Sequence, residues 1–269
     1  MELDRTVEKL LRRDQWVVLA LLVAVIAASW AYLLAGAGTG MSALDMTRMS
    51  GMATAMGDMA PIETWTAGYG MVMFIMWWIM MIAMMLPGAT PMILLFAAVN
   101  ARQREAGNRH VPTTSFTLGY VLAWGGFGLA ATVLQWALVR TGSMAPGMVI
   151  DSPLLGAGVL LAAGLYQLTP LKRTCLRHCR HPVMYLARHW RSGRRGALIM
   201  GLEHGAYCLG CCWFLMLLLF FGGVMNLYWI AGLALLVLLE KTLPRGHWLG
   251  YGAGLLLIAG GTWLLLPGL

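Results

Sequence analysis

The chain has 269 residues, of which 59% are hydrophobic and 11% are charged. A soluble domain of this size needs more charged side chains to cover its surface, so the composition indicates a membrane protein. The net charge of +8 does not indicate nucleic-acid binding, because the basic residues are confined to alternate connections between long apolar runs.

Seven apolar runs approach the roughly 20 residues that a helix needs to cross the hydrocarbon layer of a bilayer. None alternates between polar and apolar residues as the strands of a membrane barrel do. The sequence therefore predicts a single all-α domain, a polytopic transmembrane helical bundle surrounded by the lipid bilayer. The predicted spans are residues 15–36, 68–99, 113–140, 153–170, 197–222, 224–240 and 247–267.

The basic residues also predict an orientation. All but two of the 19 lysines and arginines fall in the N-terminal tail, in 100–112, in 171–196 or in 241–246, and the exceptions are Arg48 and Arg140. Positively charged connections stay in the cytoplasm, so we expect a cytoplasmic N-terminus and an odd number of spans. The first run could also be a secretory signal, but its apolar core is longer than usual and favours an uncleaved anchor.

The outer connection after the first span, residues 37–67, is rich in methionine and glycine. Thioethers in water gain nothing from packing, whereas they are soft, uncharged ligands that suit Cu(I) better than Zn(II). The loop is therefore predicted to capture metal. Its methionines are Met41, Met46, Met49, Met52, Met56 and Met59.

Methionine also lines one face of the second predicted span. In a helix, four methionines of this span fall within an arc of roughly 80° around the helix axis. The four are Met73, Met76, Met80 and Met84. We treat Met76, Met80 and Met84 as candidate metal ligands, although core packing explains the pattern equally well. Pro87 and Pro91 remove backbone donors, so the span is expected to bend or to be interrupted at "LPGATP", inside the bundle.

The third and fourth predicted spans carry small residues at spacings that allow helices to approach closely, and we interpret them as scaffold. A basic connection follows, predicted to be a cytoplasmic loop over residues 171–196, and it contains "CLRHCRHP". Its candidate soft ligands are Cys175, His178, Cys179 and His181. In a local helix the first three share a face, which favours a soft-donor cluster on the cytoplasmic side. The alternative is a lipid-facing basic loop in which these residues are incidental.

The fifth predicted span contains "GLEHGAYCLGCCWFLM", with three of the chain's five cysteines. At ~100° per residue, His204, Cys208, Cys211 and Cys212 fall within an arc of about 100° on one helix face. One buried cysteine would be an ordinary small hydrophobe. Four soft donors on one stripe instead predict a metal site suited to Cu(I) or Zn(II).

Two acids accompany the last three spans. A buried acid is costly and usually paired, so Glu240 is expected to pair with Lys241 or with an arginine. Glu203 precedes the cysteine stripe, but its helical angle points away from the cysteines. A phosphate-binding glycine loop, a hydrolase triad and a lysine in the last span are all missing from the sequence. An ATP-driven pump and a retinal-type photoreceptor are therefore unsupported.

Four segments carry a resemblance to a known family: "IAMMLPGATPM", "GLYQLTPLKRTCLRHCR", "GLEHGAYCLGCCWFLMLLLFFGGVMNLYW" and "LEKTLPRG". They resemble a bacterial family of predicted metal-binding integral membrane proteins, which includes a membrane copper chaperone for tyrosinase- and laccase-type copper oxidases. The resemblance covers about residues 70–246 and implies a multi-pass protein of the bacterial inner membrane. The ligands that it implies are His204, Cys208, Cys211, Cys212, Cys175 and Cys179. The methionine-rich loop is not part of the family pattern.

These observations favour a metal-binding membrane protein without catalytic residues. The best interpretation is a Cu(I) chaperone or copper-delivery factor for cuproenzyme maturation, with a cuproenzyme or a copper donor protein as partner. One alternative is a quinone-linked thiol-disulfide oxidoreductase that uses Cys208 and Cys211 as a redox pair. Another is an assembly or structural subunit whose basic segment is stabilised by zinc.

Overall fold

The computed structural model describes residues 2–38, 42–52, 65–105, 111–145 and 148–266. Within these ranges nearly all of the chain is helical, which confirms the predicted all-α class. Two two-residue strands, β1 (Met144–Ala145) and β2 (Val149–Ile150), form a small antiparallel hairpin that the sequence did not predict. The helices are α1 (Glu2–Leu34), α2 (Ala43–Met52), α3 (Ala67–Glu105), α4 (Thr113–Arg140), α5 (Pro153–Leu168), α6 (Pro170–Arg180), α7 (Pro182–His189), α8 (Gly193–Gly222), α9 (Leu227–Thr242) and α10 (Gly246–Leu265).

Several helices are long and apolar enough to cross a membrane. Among the described residues α1, α3, α4, α8 and α10 meet this condition. The pair α5 and α6 adds a sixth if its two helices, bent by 64° at the break between them, count as one span. With 16 residues, α9 is shorter than the ~20 that a full crossing needs. The protein is thus multi-pass, while seven spans and a cytoplasmic N-terminus remain predictions.

The predicted interruption of the second span is wrong, because α3 continues through both Pro87 and Pro91. A proline removes one backbone donor, and a neighbouring helix can supply hydrogen bonds to the affected segment. Pro87 and Pro91 free the carbonyls of Ala83 and Pro87, and between these two positions the hydroxyl of Tyr120 on α4 donates to the carbonyl of Met85 at 3.0 Å. The segment is packed inside the bundle, where this contact can form.

The basic segment after α5 is not a loop but two short helices, α6 and α7, followed by the start of α8. Thr169 and Pro170 explain where α6 begins. The Thr169 hydroxyl accepts a hydrogen bond from the backbone N–H of Lys172 at 3.3 Å, and Pro170 occupies the first helical position. Both are favoured at helix N-termini. The helix then packs along α8 and brings its cysteines to that helix.

Glycines allow α4 and α8 to touch backbone to backbone. A Cβ atom on Gly201 would lie 2.0 Å from the carbonyl oxygen of Phe116, and one on Gly119 would lie 2.1 Å from that of Leu198. Small residues are the usual means of close helix approach in membranes. This contact fixes the rotation of α8 and therefore the direction of its cysteine stripe.

Candidate metal centre

A cluster of thiols lies where α6 and α8 meet α3 and α9. Cys208, Cys211 and Cys212 on α8 are each 1% exposed. Cys179 on α6 is half-buried, and its thiol lies near those of Cys208 and Cys211. All five cysteines of the chain are free thiols. We call Cys179, Cys208, Cys211 and Cys212 the sulfur cluster.

Two of the three cysteine thiols of α8 donate to the backbone carbonyl of the third. The Sγ atoms of Cys211 and Cys212 both donate to the carbonyl oxygen of Cys208, each at 3.0 Å. Residues three and four positions apart share a helix face, so the local geometry gathers these side chains. The sequence prediction of one stripe on α8 agrees with this arrangement.

The sulfur cluster is lined by a lysine and a tyrosine that the sequence analysis missed. The Nζ atom of Lys241 on α9 donates to Cys208 Sγ at 2.9 Å, and the Tyr120 hydroxyl lies 3.1 Å from the same sulfur. Lys241 runs along Gly88 of α3, where a Cβ would lie 3.2 Å from its Cδ atom. A lysine buried in an apolar helix is costly and usually functional, which is the signal that could have identified it.

A thioether also contacts the cluster, but it is not one of the predicted ones. Met85 Sδ lies 3.9 Å from Cys212 Sγ. Met76, Met80 and Met84 of α3 are buried in the core, and among the described residues no hydrogen bond joins them to a cysteine. Its position directly after Met84 in the "MMLPG" motif is the sequence feature that could have identified Met85 as a candidate ligand.

The methionine-rich outer loop is described only in part. Met46 is half-buried and packs against the core. The side chains of Met41, Met49, Met52, Met56 and Met59 lie outside the described residues. The predicted capture of metal by this loop therefore remains a prediction.

His204 is the one buried candidate ligand with a free ring nitrogen. It is 2% exposed, and its Nδ1 atom has no hydrogen-bond partner among the described residues. Its ring lies 5.5 to 6.1 Å, between centroids, from the rings of Phe116, Tyr120 and Tyr185. Buried polar atoms are normally paired, and a neutral imidazole nitrogen is a common metal ligand. His204 lies one helical turn before Cys208.

The remaining predicted ligands lie outside the sulfur cluster. Cys175 is half-buried and faces Gly210 of α8, where a Cβ would lie 2.9 Å from its Sγ. His178 stacks on Tyr207, with ring centroids 4.1 Å apart. His181 ends α6 and lines an open cavity of about 220 Å³ at the surface. The structure therefore brings Cys179 of the "CLRHCRHP" segment into the cluster and leaves its two histidines on the side of the bundle.

Glu240 is paired, as predicted, but the predicted partner is wrong, since the cation is Lys172 of α6 and not Lys241 or an arginine. The Lys172 Nζ atom lies 2.7 and 2.8 Å from the two carboxylate oxygens and also donates to the side-chain oxygen of Gln167. Consecutive residues of a helix point about 100° apart. Glu240 consequently faces α6 and α10, while Lys241 faces the sulfur cluster.

Glu203 lies apart from the cysteines, as its helical angle predicts. It forms an ion pair with Arg191 at 2.8 Å, and the Tyr185 hydroxyl lies 3.5 Å from its other oxygen. Burial, and then the Glu203 carboxylate, raise the pKa of Tyr185 well above its ordinary value. Tyr185 is therefore a neutral hydrogen-bond donor, which donates to the carbonyl of Met200 at 2.9 Å.

The donor set of the centre is dominated by sulfur. Within the described part of the chain, no three His, Cys, Asp or Glu side chains are grouped so that they alone could hold a metal ion. The centre offers adjacent thiols, a thioether and a lysine ammonium. Thiolates and thioethers are ligands that select Cu(I), whereas structural zinc takes four nitrogen or sulfur ligands.

A family model described as "PpoB2: Copper chaperone" matches residues 74–264. The matched range contains all five cysteines, His204 and Lys241, and the match confirms the family resemblance of the sequence motifs. A search of curated proteins and a search of solved structures gave no match.

Proposed function

Because this chain belongs to the PpoB2 copper chaperone family, we propose that it binds Cu(I) inside the membrane at the sulfur cluster and delivers it to a maturing cuproenzyme. The family supports a role in copper handling and, in general terms, a cuproenzyme partner. The apolar helices support a multi-pass membrane protein. The proposed ligands are the thiols of the cluster, with Met85 and His204 beside them.

The contact between Lys241 and Cys208 is the observation that carries this proposal. A Cu(I) ion held by two thiolates has a net charge of −1, and an uncompensated charge in a low-dielectric interior is costly. The Lys241 ammonium at 2.9 Å from Cys208 Sγ reduces that net charge to zero. A divalent ion on the same two thiolates would leave the lysine uncompensated. The arrangement therefore favours a monovalent soft ion, and the family description names copper.

The methionines of α3 provide a path of weaker ligands leading away from the cluster. Met85 contacts Cys212, and Met84, Met80 and Met76 follow toward the start of α3, which the charge pattern predicts to be outside. At ~1.5 Å per residue these positions span roughly 14 Å along the helix. Thioethers bind Cu(I) more weakly than thiolates, so a step-by-step exchange of ligands moves the ion without releasing it.

Cys175, His178 and His181 have a separate proposed role on the side of α6. His181 lines an open cavity, where an incoming donor can reach it. These residues would receive Cu(I) transiently before it passes to Cys179 at the inner edge of the cluster.

Metal content of matched cysteine variants tests the proposal. Wild-type protein purified from copper-supplemented cells should carry copper, and Cys208→Ser should lose most of it. Cys175→Ser is the matched control, because a thiol that receives the ion only transiently should leave the copper content at equilibrium unchanged. Copper-free wild-type protein would refute the proposal, and an equal loss in both variants would refute the ligand assignment. Size-exclusion profiles and helical content check that the variants fold.

Delivery is tested separately in cells. A strain that lacks this protein should accumulate its copper oxidase in the metal-free form. Wild-type protein should restore the metallated oxidase, and Cys208→Ser should not. Full metallation of the oxidase without the protein would contradict a delivery role while leaving copper binding intact.

A further inference from the structure

An arginine-lined cavity of about 420 Å³ lies between α6 and the first turns of α10. It occupies the opposite face of α6 from Cys175. Three arginines form one wall, and three ring side chains form the other. The arginines are Arg173, Arg177 and Arg180, and the rings are those of His247, Trp248 and Tyr251. We call it the arginine cavity.

The positive charge of this cavity is not neutralised by the described part of the protein. Spacings of four and three residues place the arginines on one helix face, and among the described residues none of them pairs with a carboxylate. Arg180 donates to two backbone carbonyls, those of Leu243 and Pro244, each at 2.6 Å. The Arg173 guanidinium lies 5.7 Å from the ring centroid of Tyr251.

The acid behind the cavity does not change this balance. Glu240 belongs to the layer of side chains beneath Arg173 and Tyr251. It is 1% exposed, and both of its oxygens are occupied by Lys172. The pair is neutral, so the arginines present about three positive charges to whatever enters.

The cavity opens beside exposed apolar side chains at the start of a candidate spanning helix. Trp248 of α10 is 64% exposed, and Leu243 between α9 and α10 is 42% exposed. Tryptophan and tyrosine concentrate at the headgroup level of a bilayer. These apolar side chains offer no favourable contact to a small hydrated anion, whereas they can pack against the glycerol and acyl chains of a lipid.

We propose that the arginine cavity binds the phosphate headgroup of an anionic membrane lipid. Guanidinium groups form paired hydrogen bonds with phosphate oxygens. Basic pockets between membrane helices on the cytoplasmic side are characteristic sites for anionic headgroups. The bound phosphate would hold α6 against α10, and this role is independent of copper.

Lipid binding to the delipidated full-length protein in a neutral detergent tests the proposal. Native mass spectrometry would count phosphatidylglycerol adducts, with phosphatidylcholine and inorganic phosphate as separate comparisons. Each arginine near the surface contributes about fivefold in affinity, so Arg173→Gln with Arg177→Gln should weaken phosphatidylglycerol binding ~25-fold. Arg177→Gln alone should weaken it ~fivefold. The single variant keeps the assay informative if the double variant is unstable, because the Arg177 side chain has no hydrogen bond in the described part of the chain.

The matched control is the pair Arg194→Gln and Arg195→Gln, two exposed arginines at the start of α8 that lie outside the cavity. Unchanged phosphatidylglycerol binding in this pair supports the proposal. An equal loss in the control pair, or equal binding of phosphatidylcholine, overturns it, since either would mean non-specific attraction. Displacement of phosphatidylglycerol by an equal concentration of inorganic phosphate also overturns it, because the cavity would then be a site for free phosphate.

Discussion

Replacing Glu240 by glutamine should strongly destabilise the protein. The carboxylate contacts the Lys172 ammonium through both oxygens, at 2.7 and 2.8 Å, and the two side chains are 2% and 3% exposed. Gly250 of α10 closes the site, since a Cβ there would lie 2.4 Å from a Glu240 oxygen. Glutamine keeps the shape but leaves the ammonium buried without a counter-charge. Breaking one partner of a buried ion pair costs about 3–5 kcal/mol.

A double-mutant cycle separates this charge effect from simple loss of packing. Lys172→Met should also cost about 3–5 kcal/mol, because it leaves the carboxylate alone, whereas Lys172→Met with Glu240→Gln removes both charges and should cost about 2 kcal/mol or less, the cost of a buried amide. The implied coupling energy is at least ~4 kcal/mol, above the range usual for residues in direct contact, because each single replacement leaves a buried charge without its partner. As a control, Glu240→Gln and Lys241→Met should be nearly additive, since Lys241 faces Cys208 instead.

Equilibrium unfolding in mixed detergent micelles, followed by circular dichroism, measures these free energies of unfolding. Three results would refute the reasoning. They are a cost below ~1 kcal/mol for Glu240→Gln, a cost of the double replacement equal to the sum of the single costs, and a coupling of Glu240 to Lys241 as strong as that to Lys172. Each would mean that Glu240 and Lys172 are not each other's counter-charge.

Three further outcomes are expected. Gly201→Ala puts a Cβ 2.0 Å from the Phe116 carbonyl oxygen and should lower the free energy of unfolding by about 1–3 kcal/mol. In the same assay Gly126→Ala should be neutral or slightly stabilising, because an added Cβ there meets no atom of a neighbouring element within 4 Å. Lys241→Met should weaken Cu(I) binding at least ~tenfold in a competition titration with a colorimetric chelator, because it removes the ammonium that balances the site; unchanged affinity would contradict that charge argument. Copper-loaded protein should resist alkylation of its thiols, and a strong Cu(I) chelator should restore their reactivity; equal alkylation rates with and without copper would place the metal elsewhere.

Local patterns in the sequence account for much of the fold. The hydrophobic runs and the scarcity of charge require membrane helices, and those helices form where the runs occur. The stripe of Cys208, Cys211 and Cys212 follows from helical periodicity alone, because the spacing along one helix fixes which side chains share a face. The start of α6 could also have been predicted, since Thr169 and Pro170 are strong local signals for a helix N-terminus.

Residue spacing along the chain did not predict which side chains meet between helices. The sequence predicted Lys241 or an arginine as the partner of Glu240, and it predicted Met76, Met80 and Met84 as the candidate thioether ligands. The structure joins Glu240 to Lys172 and places Met85 against Cys212.

The sequence by itself determined that this is a helical membrane protein with soft metal donors on one face of one helix. Only the tertiary structure decided which partners those donors meet. Cys179 belongs to the sulfur cluster and Cys175 does not. Lys241 contacts Cys208 by passing over Gly88, which has no side chain to block it. The physical reason is that these contacts depend on how each helix is rotated and how closely two helices approach. Backbone packing such as that between α4 and α8 sets those quantities, and residue spacing within one helix does not contain them.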